Sequence, residues 1–368
     1  MIEQPSSPDA DAASEVDLPS EVLDRYLSDH IGGLTPPLDW RRFSGGQSNP
    51  TYSASGPARS VVLRRKPFGP LLPSAHAIDR EARVMSALAK TTVPVPPILH
   101  YCGDDAVIGA PFYVMGHVEG QVFFDTRLPA LSIPARTALY HALIDTLAAL
   151  HSVDVAAVGL GDFGKPAGYV ARQAARWARQ YRASQTDDLP AMDWLIDHLP
   201  GSVAEIPDET CLVHGDYRLD NVIWTGLAEA LPQVAAVLDW ELSTLGHPLA
   251  DLAYFLMTWV FPSDLRWGLR DVDHAASGIP TMQGLAARYA AATGRSALPD
   301  LDLLIAYNAF RMAAIIQGVY RRGLDGNAAD AAALGMGGDV VRLADVALLY
   351  ARRAIGGAAP GSWADGAA

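Results

Sequence analysis

His214-Gly215-Asp216-Tyr217-Arg218-Leu219-Asp220-Asn221 lies between two apolar runs. Thr210-Cys211-Leu212-Val213 before it reads as a strand ending in a turn, and Val222-Ile223 resumes extended structure after it. A second buried strand, Val234 to Leu238, then delivers Asp239, followed by Trp240. Two short strands that each hand a carboxylate to one spot are what a metal–nucleotide phosphotransfer site requires. One carboxylate, Asp216, takes the proton of an attacking hydroxyl, while Asn221 and Asp239 hold Mg²⁺ on the phosphates. Asp and Asn also cap ordinary turns, but three of them at this spacing argue against coincidence.

The step of five residues from Asp216 to Asn221 is the one that separates catalytic Asp from metal-binding Asn in protein kinases. HGDxxxxN followed about twenty residues later by a strand-borne Asp resembles the aminoglycoside phosphotransferase and choline kinase superfamily. The fuller wording, LVHGDYRLDNVIW and then VLDWELSTLGHPLADLAYFL, is similar to one branch of it. That branch holds free-standing bacterial phosphotransferases and the kinase-like domain fused to some acyl-CoA dehydrogenases. The resemblance runs from about Leu38 to Arg353. It implies an α+β, protein-kinase-like two-lobed fold, with a β-rich N-terminal lobe and a mainly helical C-terminal lobe. It also implies ATP and Mg²⁺ as cofactors.

The totals agree with a large globular chain. Its 368 residues are 50% hydrophobic, enough for one large core or two moderate ones. A formal charge of −13 argues against a nucleic-acid partner held by a general positive field. Two cysteines, Cys102 and Cys211, cannot form a disulfide framework, so a reducing cytoplasm is expected. No stretch approaches 18 uninterrupted apolar residues and the N-terminus lacks an apolar leader, so no membrane is expected.

The expected organisation is a disordered tail over 1–17, an N-terminal lobe over 18–119, a C-terminal lobe over 120–355, and a second disordered tail over 356–368. Leu18 to Ile31 has helical apolar spacing, with Ser20 as N-cap and Gly32-Gly33 as the stop. Trp40 to Phe43 and Thr51 to Ala54 read as strands around Gly45, Gly46, Ser48 and Asn49. Glycines let backbone amides approach phosphate oxygens, and the resemblance places this GGxSN loop over ATP. The strand from Ser60 puts Arg64 where a kinase carries lysine, with Lys66 as the alternative on the same side of the strand. Arginine there departs from the common pattern, because its planar fork favours bidentate contacts. Ser74 to Ala89 reads as a helix whose Glu81 could pair with that cation. Pro111 to Met115 reads as a strand, and the resemblance makes Met115, Gly116, His117 and Val118 the hinge that reads adenine.

In the second half, helices are expected from Pro134 to His151, Tyr169 to Ala183, His247 to Val260, Leu301 to Tyr320 and Val340 to Ala354. Gly161-Asp162-Phe163-Gly164 spells the kinase DFG triplet but lies upstream of Asp216 with no strand before it, so it is not taken as the metal site. Asp251 reads as a buried acceptor bracing the loop around Asp216, and His214 as a residue that shapes it. Arg172, Arg176, Arg179 and Arg182 share one helix face with no acidic residue in the run, which points to an anionic acceptor. The expected partners are therefore a nucleotide and a small-molecule acceptor such as a hydroxyacyl-CoA or hydroxy acid. The alternatives are an aminoglycoside or other amino-alcohol or sugar kinase, a nucleotide-binding pseudokinase, and a scaffold.

Overall fold

The computed structural model describes residues 17–43, 49–69, 77–228, 231–327 and 331–356. Gly45, Gly46, Ser48 and most of both expected tails lie outside the described residues. The chain divides into two compact units. One runs to Gly120 and includes Ala235–Glu241, and the other comprises Gln121–Val234 and the chain from Leu242 onward. The short segment carrying Asp239 thus belongs with the N-terminal unit, which a linear division of the chain does not reveal.

The first unit is a β-rich lobe. Helix α1 (Ser20–His30) precedes β1 (Asp39–Arg42), β2 (Thr51–Ser55) and β3 (Ser60–Arg65). Helix α2 (Ile78–Leu88), β4 (Ile98–Cys102) and β5 (Phe112–Gly116) follow. The strands form one antiparallel sheet in the order β1-β2-β3-β5-β4. Side chains alternate across a strand, so Val61, Leu63 and Arg65 of β3 face one way and Val62 and Arg64 the other. The first face joins Leu23 and Leu27 of α1, Tyr52, Phe112 and Val114 in a single apolar core. Arg64 is paired in register with Tyr113 of β5, so both present side chains on the opposite face.

Two local expectations change. Ser20 opens α1 rather than capping it, Pro19 being the cap. Asp17, the last residue of the expected N-terminal tail, is tied down by hydrogen bonds from Tyr52 and Arg65. Arg65 is almost fully buried on the α1 side of the sheet and stacks over Phe68 at 3.7 Å.

The second unit is mainly helical: α3 (Ile133–His151), α4 (Tyr169–Ser184), α5 (Pro190–Val203), α6 (Pro248–Leu256), α7 (His274–Ser277), α8 (Met282–Ala292), α9 (Leu301–Leu324) and α10 (Gly337–Ile355). Strands β6 (Cys211–Val213) and β9 (Thr244–Gly246) pair antiparallel beneath the HGD loop. The remaining strands are β7 (Val222–Thr225) and β8 (Gln233–Val237), the latter running into the segment of the first unit that ends at Glu241. Helix α9 is the spine, packed by α4, α6 and α10. It is long and apolar enough to cross a membrane by length and composition, yet 72% of its most apolar window is buried inside the protein. Burial on most sides is what a central core helix shows, and α9 buries Asn308, Arg311 and Gln317 along with its apolar residues.

Candidate active site

The HGD loop is built on β6. Leu212 and Val213 anchor the strand in the core, and the chain turns through Gly215 at φ +82°. A Cβ on Gly215 would meet the Leu242 carbonyl oxygen at 2.7 Å, so glycine is required for backbone conformation and for space alike. A 3₁₀ turn, Leu219–Asn221, then leads into β7.

This turn brings Asp216 and Asn221 together. The Asn221 amide donates through Nδ2 to the Asp216 carbonyl at 2.9 Å and to its Oδ2 at 3.3 Å. With the NH₂ group committed, the Asn221 oxygen is the end left to ligate a cation. Asp216 Oδ1 accepts a hydrogen bond from the Tyr254 hydroxyl of α6 and an ion pair from Arg218 Nε at 3.2 Å. Burial, with the Asp216 charge behind it, holds the Tyr254 phenol well above its ordinary range, so it remains a donor. Arg218 also reaches Asp220 at 3.4 Å and lies 5.1 Å over the Trp267 ring.

Under the loop sits Asp251, fully buried on α6. Its Oδ2 accepts from the His214 amide at 2.8 Å and from His151 Nε2 at 3.2 Å, and its Oδ1 accepts from the Gly215 amide at 2.9 Å. His151 completes the set through its other nitrogen, 2.7 Å from the Tyr289 hydroxyl. Burial works to raise the Asp251 carboxyl, but the His151 and backbone hydrogen bonds outweigh it and hold the group below its usual range. A depressed carboxyl adds stability that is present above the ordinary aspartate range and is lost as pH falls through the folded value. Asp251→Ala should therefore lower unfolding stability by about 3–5 kcal/mol at neutral pH, because two amides and an imidazole lose their acceptor together. Denaturant midpoints measured from pH 7 down to 3 should show the deficit shrinking only in acid. A variant as stable as the parent at pH 7 would remove Asp251 from this role.

The first unit contributes a separate polar cluster. Glu81 of α2 is 1% exposed. It accepts from Asn49 Nδ2 at 3.1 Å and from the Tyr113 hydroxyl at 3.0 Å, and Arg64 Nε lies 3.4 Å from its Oε2. Arg64 Nη2 reaches Asp239 at 3.2 Å and Glu241 at 3.7 Å. Burial works against the Arg64 charge, but Glu81 first, and Asp239 and Glu241 after it, raise its pKa further. Burial pushes the Glu81 carboxyl upward, Arg64 pulls it down, and the other two carboxylates push it up, so the net direction is up. Asp239 adopts φ +60°, a left-handed conformation that few non-glycine residues take up. Among the described residues no group of three His, Cys, Asp or Glu side chains surrounds one point. The Asp239 carboxylate and the Asn221 amide oxygen are hard oxygen donors of the kind Mg²⁺ takes, alongside waters and substrate phosphates.

Lys66 lies just past β3, with its amide bonded to Pro111. The Gly116 and His117 amides are used internally, by the Pro97 and Ser60 carbonyls, and Met115 is paired with strands on both sides. Val118 is the one hinge candidate beyond both ladder and strand end. Arg172, Arg176 and Arg179 are exposed on α4; Arg172 bonds the Lys165 carbonyl, and Arg176 lies 5.5 Å over Trp177. Arg182 is paired at 2.6 Å with Asp193 of α5, an acid that the α4 sequence alone does not show. Phe163 of the DFG triplet is fully buried and Asp162 is exposed. Sequence reasoning missed Tyr113, Tyr254 and Arg311, the last donating from α9 to the Gly215 carbonyl at 2.7 Å.

Known proteins resemble this chain in sequence and in fold. The family model described as "Phosphotransferase enzyme family" matches residues 39–288. Acyl-CoA dehydrogenase family member 10 of Mus musculus is 43% identical over 339 residues, covering 91% of this chain and 31% of that protein. Acyl-CoA dehydrogenase family member 11 of Homo sapiens is 42% identical over 313 residues, covering 84% of this chain and 40% of that protein. The chain thus spans well under half the length of these curated relatives. A crystal structure from Ralstonia eutropha JMP134, of a protein assigned to the aminoglycoside phosphotransferases, superposes with a TM-score of 0.82. It is 43% identical, covering 91% of this chain and 99% of that one. Aminoglycoside phosphotransferase APH(4)-Ia, in a complex with AMP-PNP and hygromycin B, shares the fold at a TM-score of 0.59 and 16% identity over 89% of this chain and 98% of its own. With the two-lobed kinase-like architecture, the HGDxxxxN turn and a family match across most of its length, this chain belongs to the phosphotransferase enzyme family.

Proposed function

We propose that the protein moves the γ-phosphoryl group of ATP, with Mg²⁺, onto a hydroxyl of a small acyl acceptor, a hydroxyacyl-CoA or hydroxy acid. The observation that carries the transfer chemistry is the Asp216 carboxylate. Its Oδ1 is held by Tyr254 and Arg218, and Asn221 spans its backbone and its other oxygen. The acceptor oxygen attacks the γ-phosphorus and its proton passes to Asp216. The bond from phosphorus to the bridging oxygen breaks, and its electron pair leaves with ADP. Asn221 and Asp239 are assigned as Mg²⁺ ligands, the metal supplying neutralisation of phosphate charge. Arg64 is assigned to the phosphates, steered by Glu81; one guanidinium facing three carboxylates leaves that cluster with surplus negative charge that a cation would offset. Val118 is assigned to the adenine edge. Two buried, unpaired cysteines suit a reducing compartment, and we propose the cytoplasm.

The acceptor assignment rests on surroundings within the second unit. A small cavity is lined by Tyr217 and Arg218, which follow Asp216 in the chain, together with Phe124, Thr258, Trp259 and Trp267; Asp220 is its acidic member and is already tied to Arg218. A polycationic aminoglycoside would want unpaired carboxylates at the acceptor site. The exposed arginines of α4 suit the phosphates of a CoA ester, and two curated relatives carry acyl-CoA dehydrogenase names. ATP-dependent phosphate transfer across hydroxyacyl-CoA esters, free hydroxy acids, aminoglycosides and choline decides the matter. Efficient phosphorylation of kanamycin-like compounds with none of the esters would overturn the acyl reading. Mg·ATP binding without turnover of any acceptor would leave the pseudokinase.

Within the same reading, changing Arg172, Arg176 and Arg179 to Gln together should raise KM for the CoA ester several-fold and leave KM for ATP unchanged. Arg182 is kept, since its partner is Asp193. Equal KM values in variant and parent would return this face to ordinary solvated surface.

A further inference from the structure

Arg311 lies in the middle of α9 and is 6% exposed. A buried guanidinium normally faces a carboxylate, because taking its charge out of water costs several kcal/mol unless it is paired. Among the described residues Arg311 makes no ion pair, and its Nε has no hydrogen-bond partner. What it touches instead is the machinery of the HGD loop. Nη2 donates to the Gly215 carbonyl at 2.7 Å, and the guanidinium lies 4.8 Å over the ring of Tyr254. Trp177 of α4 takes its other neighbourhood, at 5.8 Å. Gly215 is the residue before Asp216, and Tyr254 donates its hydroxyl to Asp216 Oδ1.

We propose that Arg311 and Tyr254 together are positioning residues for Asp216, Arg311 fixing the Gly215 peptide and the Tyr254 ring, and Tyr254 fixing the carboxylate. The inference rests on the reading of Asp216 as the proton acceptor. Two attachments are needed because a carboxylate at a turn can rotate about its χ angles even when its backbone is fixed. Holding Oδ1 leaves Oδ2, which takes only the 3.3 Å contact from the Asn221 amide, to meet the acceptor hydroxyl. An error of about 1 Å at such a group costs on the order of 100-fold in rate. A merely structural Arg311 would behave differently: its loss would cost stability, because the Gly215 carbonyl would be left without its donor, and would leave kcat of the folded enzyme unchanged.

Tyr254→Phe removes one oxygen and leaves the packing. Its kcat should fall about 10- to 100-fold, with KM for ATP unchanged, for both the CoA-ester reaction and basal Mg-dependent ATP hydrolysis. Arg311→Met, compared as folded enzyme, should lose a similar factor in kcat. Arg311→Lys, which keeps a donor for Gly215, should recover part of it. Should Arg311→Met fail to fold, Tyr254→Phe and Arg311→Lys still carry the test. In the Asp216→Asn background Tyr254→Phe should have no further effect, and a crystal structure of Tyr254→Phe should show the Asp216 carboxylate rotated. A Tyr254→Phe enzyme with more than half the parent kcat and an unmoved Asp216 overturns the proposal. If Asp216→Asn itself stays active, what fails is the proton-acceptor reading, and the rotated carboxylate still reports whether the brace exists.

Discussion

Asp216→Asn should abolish turnover while leaving Mg·ATP binding nearly intact. The substitution keeps shape and an oxygen for the Tyr254 hydroxyl, so the loop beneath should hold: His214 and Gly215 are fixed by Asp251, not by Asp216. What is lost is the charge that draws a proton from the acceptor and the ion pair with Arg218. Loss of a positioned base lowers rates by about 10²–10⁴. Single-turnover phosphate transfer, with calorimetric titration of Mg·ATP alongside, separates chemistry from binding. An Asp216→Asn enzyme that keeps more than a tenth of the parent kcat is incompatible with Asp216 as the proton acceptor. A collapse of nucleotide affinity with the rate would instead place Asp216 among the nucleotide ligands.

The sequence exposes this half of the site because its chemistry is contiguous. One strand, one turn and one 3₁₀ step separate Val213 from Asn221, and local spacing is all that is needed to read them. Arg64 was legible for a related reason: strand alternation fixes its side, and α2 is the helix that follows. The neighbouring Arg65 was not, because nothing in a run of three bases says that the middle one meets Asp17 and Tyr52 across the sheet. Tyr254 and Arg311 were illegible because they reach the loop from far along the chain, 38 and 96 positions from their partners, on helices whose pattern is that of plain core. Periodicity marks which face of α9 is buried; it does not say that one buried position holds a guanidinium aimed at a peptide carbonyl. The pairing of Arg182 with Asp193 escaped in the same way, since the acid sits on the next helix.

Asp239 should prove to be the residue on which metal-dependent nucleotide binding rests, and Asp162 should prove dispensable. Asp239 follows β8, is held at φ +60° and shares Arg64 with Glu81 and Glu241. A left-handed backbone at a non-glycine residue stores about 1–2 kcal/mol, and such strain gathers at functional positions. Asparagine tolerates that conformation better than alanine does, so Asp239→Asn is the cleaner probe: it removes charge and leaves the backbone alone. Titrating Mg·ATP should show affinity lower by about 100-fold, whereas ATP titrated in EDTA should bind the variant at least as well as the parent, since no metal is involved and one carboxylate beside Arg64 has lost its charge. Asp162 stands in a segment whose anchor is the fully buried Phe163, on an exposed turn that resembles the DFG triplet in letters only. Asp162→Ala should therefore bind Mg·ATP as the parent does. If Asp162→Ala loses binding and Asp239→Asn keeps it, the metal belongs to the literal triplet, and the strand-borne carboxylate is a partner of Arg64 and nothing more.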